Sequence, residues 1–299
     1  MDMNRHPRQL ECLSVTVPEA ALEAYEAALG SVCETVGFFR DHATGAWRIE
    51  GVRVVGAKEE QLTGAMALAA AVTGVTVTAA RTPTHADGWL ERTRAAFPEQ
   101  LIGRRFAIRG THLTDPPPPG RITLILDAGV AFGSGEHNST RGCLLALERM
   151  QPRLRRGACR ILDLGTGSGI LAMAAAKTLR RPVLATDIEP WSVRVAGENA
   201  RLNGVRKLVR PMLADGWRSA IVRKAGPYDL VFGNILARPL RLMARDLAHH
   251  LAAGGIAILA GLLRAQARDV LAAHRRNGLV LERMIDLEPW TTLVLRKRS

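Results

Sequence analysis

The sequence predicts an α/β protein in which a Rossmann-like, largely parallel seven-stranded sheet ends in an antiparallel hairpin and follows a small α+β domain. Three observations support this prediction. An apolar strand runs into a glycine turn over Cys159–Gly169 and opens an alanine-rich helix. Strands and helices then alternate as far as Ala260, which is typical of a parallel sheet with helices on both faces. Two final apolar runs, Leu279–Leu287 and Thr291–Lys297, flank Glu288-Pro-Trp290 and predict the hairpin.

Composition describes a globular protein with enough apolar residues for two domains. The chain has 299 residues, of which 47% are hydrophobic. We expect no signal peptide and no membrane span, because Met1–Leu10 is polar and the uncharged stretch Gln61–Ala80 is rich in Ala, Thr and Gly. The four cysteines form no Cys-x-x-Cys pair, which argues against a metal site and for a reducing compartment. We therefore expect a cytoplasmic protein without a bound metal. We also expect a monomer, although none of these features determines the oligomeric state.

The net charge of +13 comes mostly from arginine, with clusters at residues 153–156 and 296–298. Such an excess favours an acidic or RNA-rich partner. The alternative is a generic basic surface, because aromatic residues, which would stack on bases, make up only 4% of the chain. Direct nucleic-acid binding therefore stays open.

The first part of the chain predicts a domain over residues 1–85 with two helices on an antiparallel sheet, the split βαβ arrangement of ferredoxin-like folds. It contains no catalytic cluster, so we expect it to bind a partner. A linker follows at 86–102, with a helical piece at Trp89–Ala96, and the second domain covers 103–299 and begins with a strand at Arg105–Arg109. The predicted elements of the first domain are the strand Leu10–Val17, the helix Pro18–Leu29, the strands Val32–Phe39 and Trp47–Val55, the helix Lys58–Val72 and the strand Thr73–Ala79.

The glycine turn indicates which kind of ligand the second domain binds. A dinucleotide fingerprint needs its third glycine three residues after the second, and Ile170 occupies that position here. The observed G-x-G-x-G spacing lets the backbone at Gly165 and Gly167 approach an amino-acid carboxylate or a ribose more readily than two phosphates. The alternative is that this turn only connects the strand to the helix and binds no ligand.

Two acidic residues follow the next two strands. Asp187 ends an apolar run, where its carboxylate can accept hydrogen bonds from both ribose hydroxyls of a nucleoside. Its alternative role is to cap the helix that opens at Pro190, and the two roles are compatible. Asp215 follows the run Val209–Leu213 and could meet an adenine amino group or could equally be a solvated turn residue.

The loop Asp127–Thr140 lies before the glycine turn and predicts a lid with a functional tip. It combines three glycines with one aromatic residue, Phe132, and a polar end. His137 beside Glu136 could accept a proton, but a single loop histidine is more often structural.

The end of this loop predicts a helix over Arg141–Met150 with Asn138 or Ser139 as its N-cap. Thr140 would then lie in the first turn, with its hydroxyl and backbone N–H available to a carboxylate. Capping alone is the alternative role of this segment.

Asn234 ends the apolar strand that begins at Tyr228 and so lies at the carboxyl edge of the sheet, where open α/β folds bind ligands. Its amide oxygen can accept a hydrogen bond from a substrate N–H. Methyltransferases that act on amino groups often carry Asn/Asp-Pro-Pro-aromatic here, whereas this chain has Asn234-Ile-Leu-Ala237. Three consecutive strand ends with polar groups along one edge predict a methyltransferase.

The chain after about Trp89 resembles the bacterial methyltransferase family that acts on large-subunit ribosomal protein eleven. The loop and the Asn-Ile-Leu-Ala-x-Pro-Leu segment are the specific elements, since the glycine turn alone is widespread. The sequence departs from the family pattern at Ala128, Glu136 and Asn138-Ser139, within the loop. The matching segments are Ile102–Phe106, Ala131–Thr140, Asp163–Leu171, Asn234–Leu240, Gly254-Gly255, Ala260–Gln266 and Trp290.

The resemblance implies a class I S-adenosyl-L-methionine-dependent methyltransferase that trimethylates lysine side chains and the N-terminal amine of ribosomal protein eleven. It implies that Thr140, Gly165, Asp187 and Asn234 contact the cofactor, with Phe132 covering it. Asn234 would also orient the incoming amine, and no other catalytic residue is assigned. The first domain would recruit the ribosomal protein.

Three alternatives remain open. A related enzyme could methylate RNA or another protein, and a non-enzymatic ribosome-binding protein would lack cofactor binding. A dehydrogenase is disfavoured by Ile170 and by the terminal hairpin.

Overall fold

The computed structural model describes residues 10–33, 35–40, 46–84, 98–126, 138–154 and 159–298. The chain separates into two units, Met1–Thr93 and Arg94–Ser299. The predicted helical piece at Trp89–Ala96 lies outside the described residues, and the predicted linker at 86–102 stays a prediction.

The first unit has the predicted ferredoxin-like arrangement, with two helices and a four-stranded antiparallel sheet of order β2-β3-β1-β4. Alternate residues of the first strand are buried, as expected for a strand with one face against helices. An almost fully buried guanidinium, Arg53, binds Glu11 at 2.9 Å and Glu59 at 2.6 Å and so ties two strands to the second helix. The elements are β1 (Leu10–Val17), α1 (Leu22–Gly30), β2 (Thr35–Arg40), β3 (Trp47–Val54), α2 (Glu59–Thr73) and β4 (Ala80–Thr84).

The predicted strand at Thr73–Ala79 is wrong. Helix α2 includes Thr73 and ends on Gly74, which adopts φ 71° and donates its N–H to the Ala70 carbonyl. The next carbonyl, that of Val75, accepts a hydrogen bond from the Tyr25 hydroxyl. Pairing with β1 therefore begins only at Ala80, beyond the β-branched run that suggested a strand.

The second unit begins with a three-stranded sheet of which only the middle strand was predicted. It consists of β5 (Gln100–Ile102), β6 (Phe106–Gly110) and β7 (Ile122–Leu126). Strand β5 was not predicted because three residues show no periodicity, and β7 was not predicted because it directly follows the proline-rich stretch. The Arg121 guanidinium donates to the carbonyls of Gly103 and Phe106 at 2.9 and 3.0 Å. These bonds hold the start of β7 against the connection between β5 and β6.

The main sheet has seven strands in the order β10-β9-β8-β11-β12-β14-β13. The first five are parallel, and β14 pairs antiparallel with both β12 and β13, which confirms the predicted terminal hairpin. The strands are β8 (Ile161–Leu164), β9 (Val183–Asp187), β10 (Val209–Leu213), β11 (Tyr228–Asn234), β12 (Leu251–Leu263), β13 (Leu279–Leu287) and β14 (Trp290–Lys297).

Helices cover both faces of this sheet, as predicted for a doubly wound fold. One apolar cluster lies under α3 and α4 and a second under α7 to α9. Among the described residues, no helix is long and apolar enough to cross a membrane. The helices are α3 (Asn138–Leu154), α4 (Ile170–Leu179), α5 (Pro190–Leu202), α6 (Ala220–Ala225), α7 (Ala237–Leu242), α8 (Ala244–His250) and α9 (Arg264–Arg276).

Candidate cofactor and substrate site

The glycine turn after β8 is bonded to the end of the neighbouring strand. The N–H groups of Gly165 and Thr166 both donate to the Thr186 carbonyl, at 2.8 and 2.9 Å. Gly165 has φ 71°, and a Cβ atom there would lie 2.3 Å from Cγ2 of Ile235. Only glycine therefore fits this conformation and this approach.

The third glycine of the turn has a packing role. A Cβ atom on Gly169 would lie 3.0 Å from the Cβ atom of Ala196 on helix α5. The Asn199 side chain donates to the Ser168 carbonyl at 2.9 Å, so α5 also holds the turn through a hydrogen bond. The turn is thus fixed between β9 and α5 before any ligand arrives.

A buried carboxylate, that of Asp163, holds the glycine turn and the start of α4 through hydrogen bonds. Its Oδ2 atom accepts hydrogen bonds from the Thr166 hydroxyl at 2.6 Å and from the Ala172 N–H at 3.1 Å. Burial raises the pKa of Asp163 to about 6, although these two hydrogen bonds act in the opposite direction. No role was predicted for Asp163, although an acidic residue inside an apolar strand was a signal that the sequence already offered.

Asp187 faces the turn from the carboxyl end of β9. Its Oδ2 atom accepts the Gly167 N–H at 2.9 Å and its Oδ1 atom accepts the Glu189 N–H at 3.0 Å. Each carboxylate oxygen has a second lone pair, so both can still accept a ligand hydroxyl. The N-cap residue of α5 is Glu189 and not Asp187, although Asp187 does bond to the backbone at that helix entry.

Two residues near Asp187 bear on how the base of a nucleoside would bind. Asp215 is exposed and forms an ion pair with Arg218 at 3.1 Å, which favours the solvated-turn alternative. Ile188, for which no role was predicted, is 64% exposed. An exposed apolar side chain directly after the carboxylate that faces the turn is a suitable surface for an adenine ring.

Asn234 and Thr140 meet at the carboxyl edge, although 94 residues separate them in the chain. The Asn234 side-chain nitrogen donates to the Thr140 hydroxyl at 3.2 Å. Thr140 is fully buried, whereas Asn234 is only partly buried. Since the amide nitrogen is engaged, the amide oxygen of Asn234 is the atom left to accept a hydrogen bond from a substrate N–H.

The helix that carries Thr140 begins earlier than predicted, because Asn138 and Ser139 already lie inside α3. Neither is its N-cap, so that prediction is wrong. The Asn138 side chain instead donates to the Glu288 carbonyl at 2.9 Å, which joins the start of α3 to the turn of the terminal hairpin. Phe132, Glu136 and His137 of the predicted lid lie outside the described residues.

The described residues contain no group of three or more His, Cys, Asp or Glu side chains that could hold a metal ion. The four cysteines, which all lie within the described residues, form no disulfide. Burial raises the pKa of the Cys159 thiol to about 11, which leaves it protonated and unreactive.

The strand order with its terminal hairpin, the glycine turn and the acidic residue after β9 define a class I S-adenosyl-L-methionine-dependent methyltransferase. The turn, whose Gly165 leaves no room for a side chain, and the two carboxylate oxygens of Asp187 fit an amino-acid and nucleoside ligand of this kind. The chain belongs to the ribosomal protein L11 methyltransferase (PrmA) family, whose sequence model matches residues 12–298. The resemblance seen in the sequence is thereby confirmed.

Individual relatives agree with this assignment. The chain is 46% identical to the ribosomal protein L11 methyltransferase of Rhodopseudomonas palustris over 79% of this chain and 80% of the relative. It is 50% identical to that of Bradyrhizobium diazoefficiens over 64% of this chain and 65% of the relative, just under two thirds of its length. A crystal structure of ribosomal protein L11 methylase from Lactobacillus delbrueckii is similar with a TM-score of 0.60 and 30% identity, over 67% of this chain and 99% of that one.

Proposed function

We propose that this chain uses S-adenosyl-L-methionine to trimethylate lysine side chains and the N-terminal amine of ribosomal protein L11. The observation that carries the proposal is the Asn234–Thr140 pair at the carboxyl edge, beside the glycine turn, in a chain of this family. The ribosomal substrate is also the reason to place the enzyme in the cytoplasm.

The cofactor would lie along the carboxyl ends of β8, β9 and β11. When bound, its sulfonium supplies a methyl group that is already activated. Gly165 and Gly167 would let the amino-acid end approach the backbone, with the Thr140 end of α3 opposite. Asp187 would accept the ribose hydroxyls, and Phe132 of the preceding loop would cover the ligand.

The residues of this chain would act mainly by alignment. The amide oxygen of Asn234 would accept one N–H of the incoming amine and direct the lone pair at the methyl group. A lysine with a pKa near 10.4 is mostly protonated at pH 7, and exposing its lone pair costs about 4–5 kcal/mol. Exclusion of water and the nearby sulfonium charge favour the neutral amine, so the mechanism needs no dedicated base.

The first unit would recruit the ribosomal protein. Its 93 residues include 8 basic and 12 acidic side chains, whereas the second unit has 33 basic and 16 acidic ones. Glu19, Glu23 and Glu26 are spaced to share one face of the first helical segment, and burial together with Glu23 raises the pKa of Glu26 to about 7. A protein that binds RNA carries Lys and Arg on its surface. When such a partner binds, its positive charges would reduce the electrostatic repulsion between these glutamates.

The test is transfer of labelled methyl from S-adenosyl-L-methionine to unmethylated ribosomal protein L11, to total RNA and to an unrelated basic protein of similar charge. We expect labelling of the ribosomal protein alone. Labelling of RNA, or of both proteins equally, would contradict the proposed substrate. In the same assay, Glu23→Gln with Glu26→Gln should raise KM for the ribosomal protein without changing the Kd for the cofactor.

A further inference from the structure

The amino-terminal edge of the main sheet, opposite the candidate site, is lined with basic residues. We call this edge the amino rim. Basic residues border six of its seven strands, either just before a parallel strand or after the last one. The ten cations are Arg206 and Lys207 before β10, Arg180 and Arg181 before β9, Arg160 before β8, Lys224 before β11, Lys297 and Arg298 at the end of β14, and Arg275 and Arg276 before β13.

The pairing register brings the separate segments of the rim together. The Val183 N–H donates to the Leu208 carbonyl at 2.7 Å, so the residues before β9 and β10 lie side by side. The Asp229 N–H donates to the Arg160 carbonyl at 2.9 Å, which joins the starts of β8 and β11. With strands about 4.8 Å apart, seven strands make a rim of about 29 Å. Basic segments on adjacent strands are thus one strand spacing apart, which is within the Debye length of about 8 Å, so they act on a ligand together.

Most of these charges are not neutralised by the protein. Near the rim, Glu282 pairs with Arg153 and Arg296, and the Asp229 carboxylate accepts the backbone N–H of Arg160. Eight of the ten cations are exposed and form no ion pair with a carboxylate of the described residues: Arg160, Arg180, Arg206, Lys207, Lys224, Arg275, Arg276 and Arg298.

Stabilisation of helix ends explains only part of this arrangement. Cations near a helix C-terminus contribute about 0.3–1 kcal/mol each, and Arg180, Lys224, Arg275 and Arg276 occupy such positions. Lys207 lies five residues beyond α5, and Arg298 follows the last strand, so neither has that role. The rim also contains a cavity of about 420 Å³ whose lining includes Arg275, Gly278 and Arg298.

We infer that the amino rim binds the phosphate backbone of folded RNA. A row of exposed cations with little aromatic surface suits phosphate contacts and not base stacking. The preference for RNA over DNA rests on the proposed function, because the substrate is a ribosomal protein. Since β11 spans seven residues, or about 20 Å, RNA on the rim would leave the carboxyl edge open for cofactor and substrate.

The test measures binding of the full chain to a folded ribosomal RNA fragment, to duplex DNA of equal length and to vesicles of anionic lipid, across a series of salt concentrations. The rim variant carries Gln in place of Arg206, Lys207, Arg275 and Arg276. The control variant carries Gln in place of four exposed arginines elsewhere in the second unit, Arg241, Arg245, Arg268 and Arg283. Both lose the same four formal charges.

We expect the rim variant to bind RNA at least about tenfold more weakly, and the slope of log K against log salt to decrease by about 3. The control should change affinity by less than about twofold. Equal losses in both variants, no RNA binding by the wild type, equal or tighter binding of DNA, or binding to vesicles alone would overturn the inference. Methylation of free ribosomal protein L11 by both variants should match the wild type. If the wild type fails in that assay, the proposed function is wrong, whatever the RNA result.

Discussion

Replacing Gly165 by alanine tests whether the glycine turn is shaped for a ligand. Both this position and Gly204 have φ near 70°, but a Cβ atom at Gly204 would meet nothing within 4 Å. The left-handed conformation costs an alanine about 1–2 kcal/mol at either position. At Gly165 the new Cβ atom would lie 2.3 Å from Cγ2 of Ile235, and relieving such overpacking costs about 1–3 kcal/mol more.

The two variants therefore separate backbone strain from loss of the ligand site. We expect Gly204→Ala to lose about 1–2 kcal/mol of unfolding free energy in urea and to bind S-adenosyl-L-homocysteine like the wild type. Gly165→Ala should lose about 2–5 kcal/mol and weaken that binding at least about tenfold by calorimetry, since Ile235 has to move beside Asn234. Wild-type affinity in Gly165→Ala, or the same loss of affinity in Gly204→Ala, would refute this reasoning.

Three further predictions concern the site and its supporting residues. Thr140→Val removes the acceptor for the Asn234 amide and should lower kcat about tenfold or more, while Thr140→Ser should restore most of it, as measured by initial rates at saturating cofactor. Asp163→Asn keeps an acceptor for both hydrogen bonds and removes a carboxyl whose folded pKa is about 6. Because a raised pKa makes the wild type lose stability as pH rises from about 4 to 6, the variant should gain about 3 kcal/mol relative to the wild type between pH 4 and 7, as measured by urea unfolding. For His274→Gln, the stability relative to the wild type should change with pH in the opposite direction. Burial lowers the pKa of this fully buried imidazole to about 4, so the wild type gains stability as pH rises from 4 to 6.5, and the variant should lose about 3 kcal/mol relative to it over that range.

A different result would contradict each of these three predictions. Equal kcat for the valine and serine variants would show that the hydroxyl does not position Asn234. A pH-independent difference between Asp163→Asn and the wild type would mean that the carboxyl is ionised throughout that range. Parallel pH profiles for His274→Gln and the wild type would place the imidazole in contact with water.

The main sheet was predictable because its signals are local. Buried parallel strands read as short apolar runs, and the glycine turn, Asp187 and Asn234 each directly follow or end one of them. The predicted position of β4 was wrong because Val and Thr after Gly74 have high strand propensity, whereas the backbone of Gly74 and Val75 already bonds to the end of α2 and to the Tyr25 hydroxyl.

The features that could not be predicted from the sequence depend on contacts between distant segments of the chain. The hydrogen bond between Asn234 and Thr140 and the link from Asn138 to the hairpin turn join residues 94 and 150 positions apart. The role of Asp163 required knowing that the turn folds back over it. The amino rim became visible only once the strand order placed six short basic segments along one edge.

The most direct test of the central claim is the intact mass of unmethylated ribosomal protein L11 after incubation with S-adenosyl-L-methionine and the wild-type chain, Asn234→Ala or Asn277→Ala. Asn277 is a matched asparagine at the amino edge of the sheet, where its side chain donates to the Ala273 carbonyl at 2.9 Å. We expect stepwise addition of methyl groups with the wild type and with Asn277→Ala. We expect little or none with Asn234→Ala, even though that variant still binds S-adenosyl-L-homocysteine measurably. Unchanged mass with the wild type, or full methylation by Asn234→Ala, would contradict the proposed function.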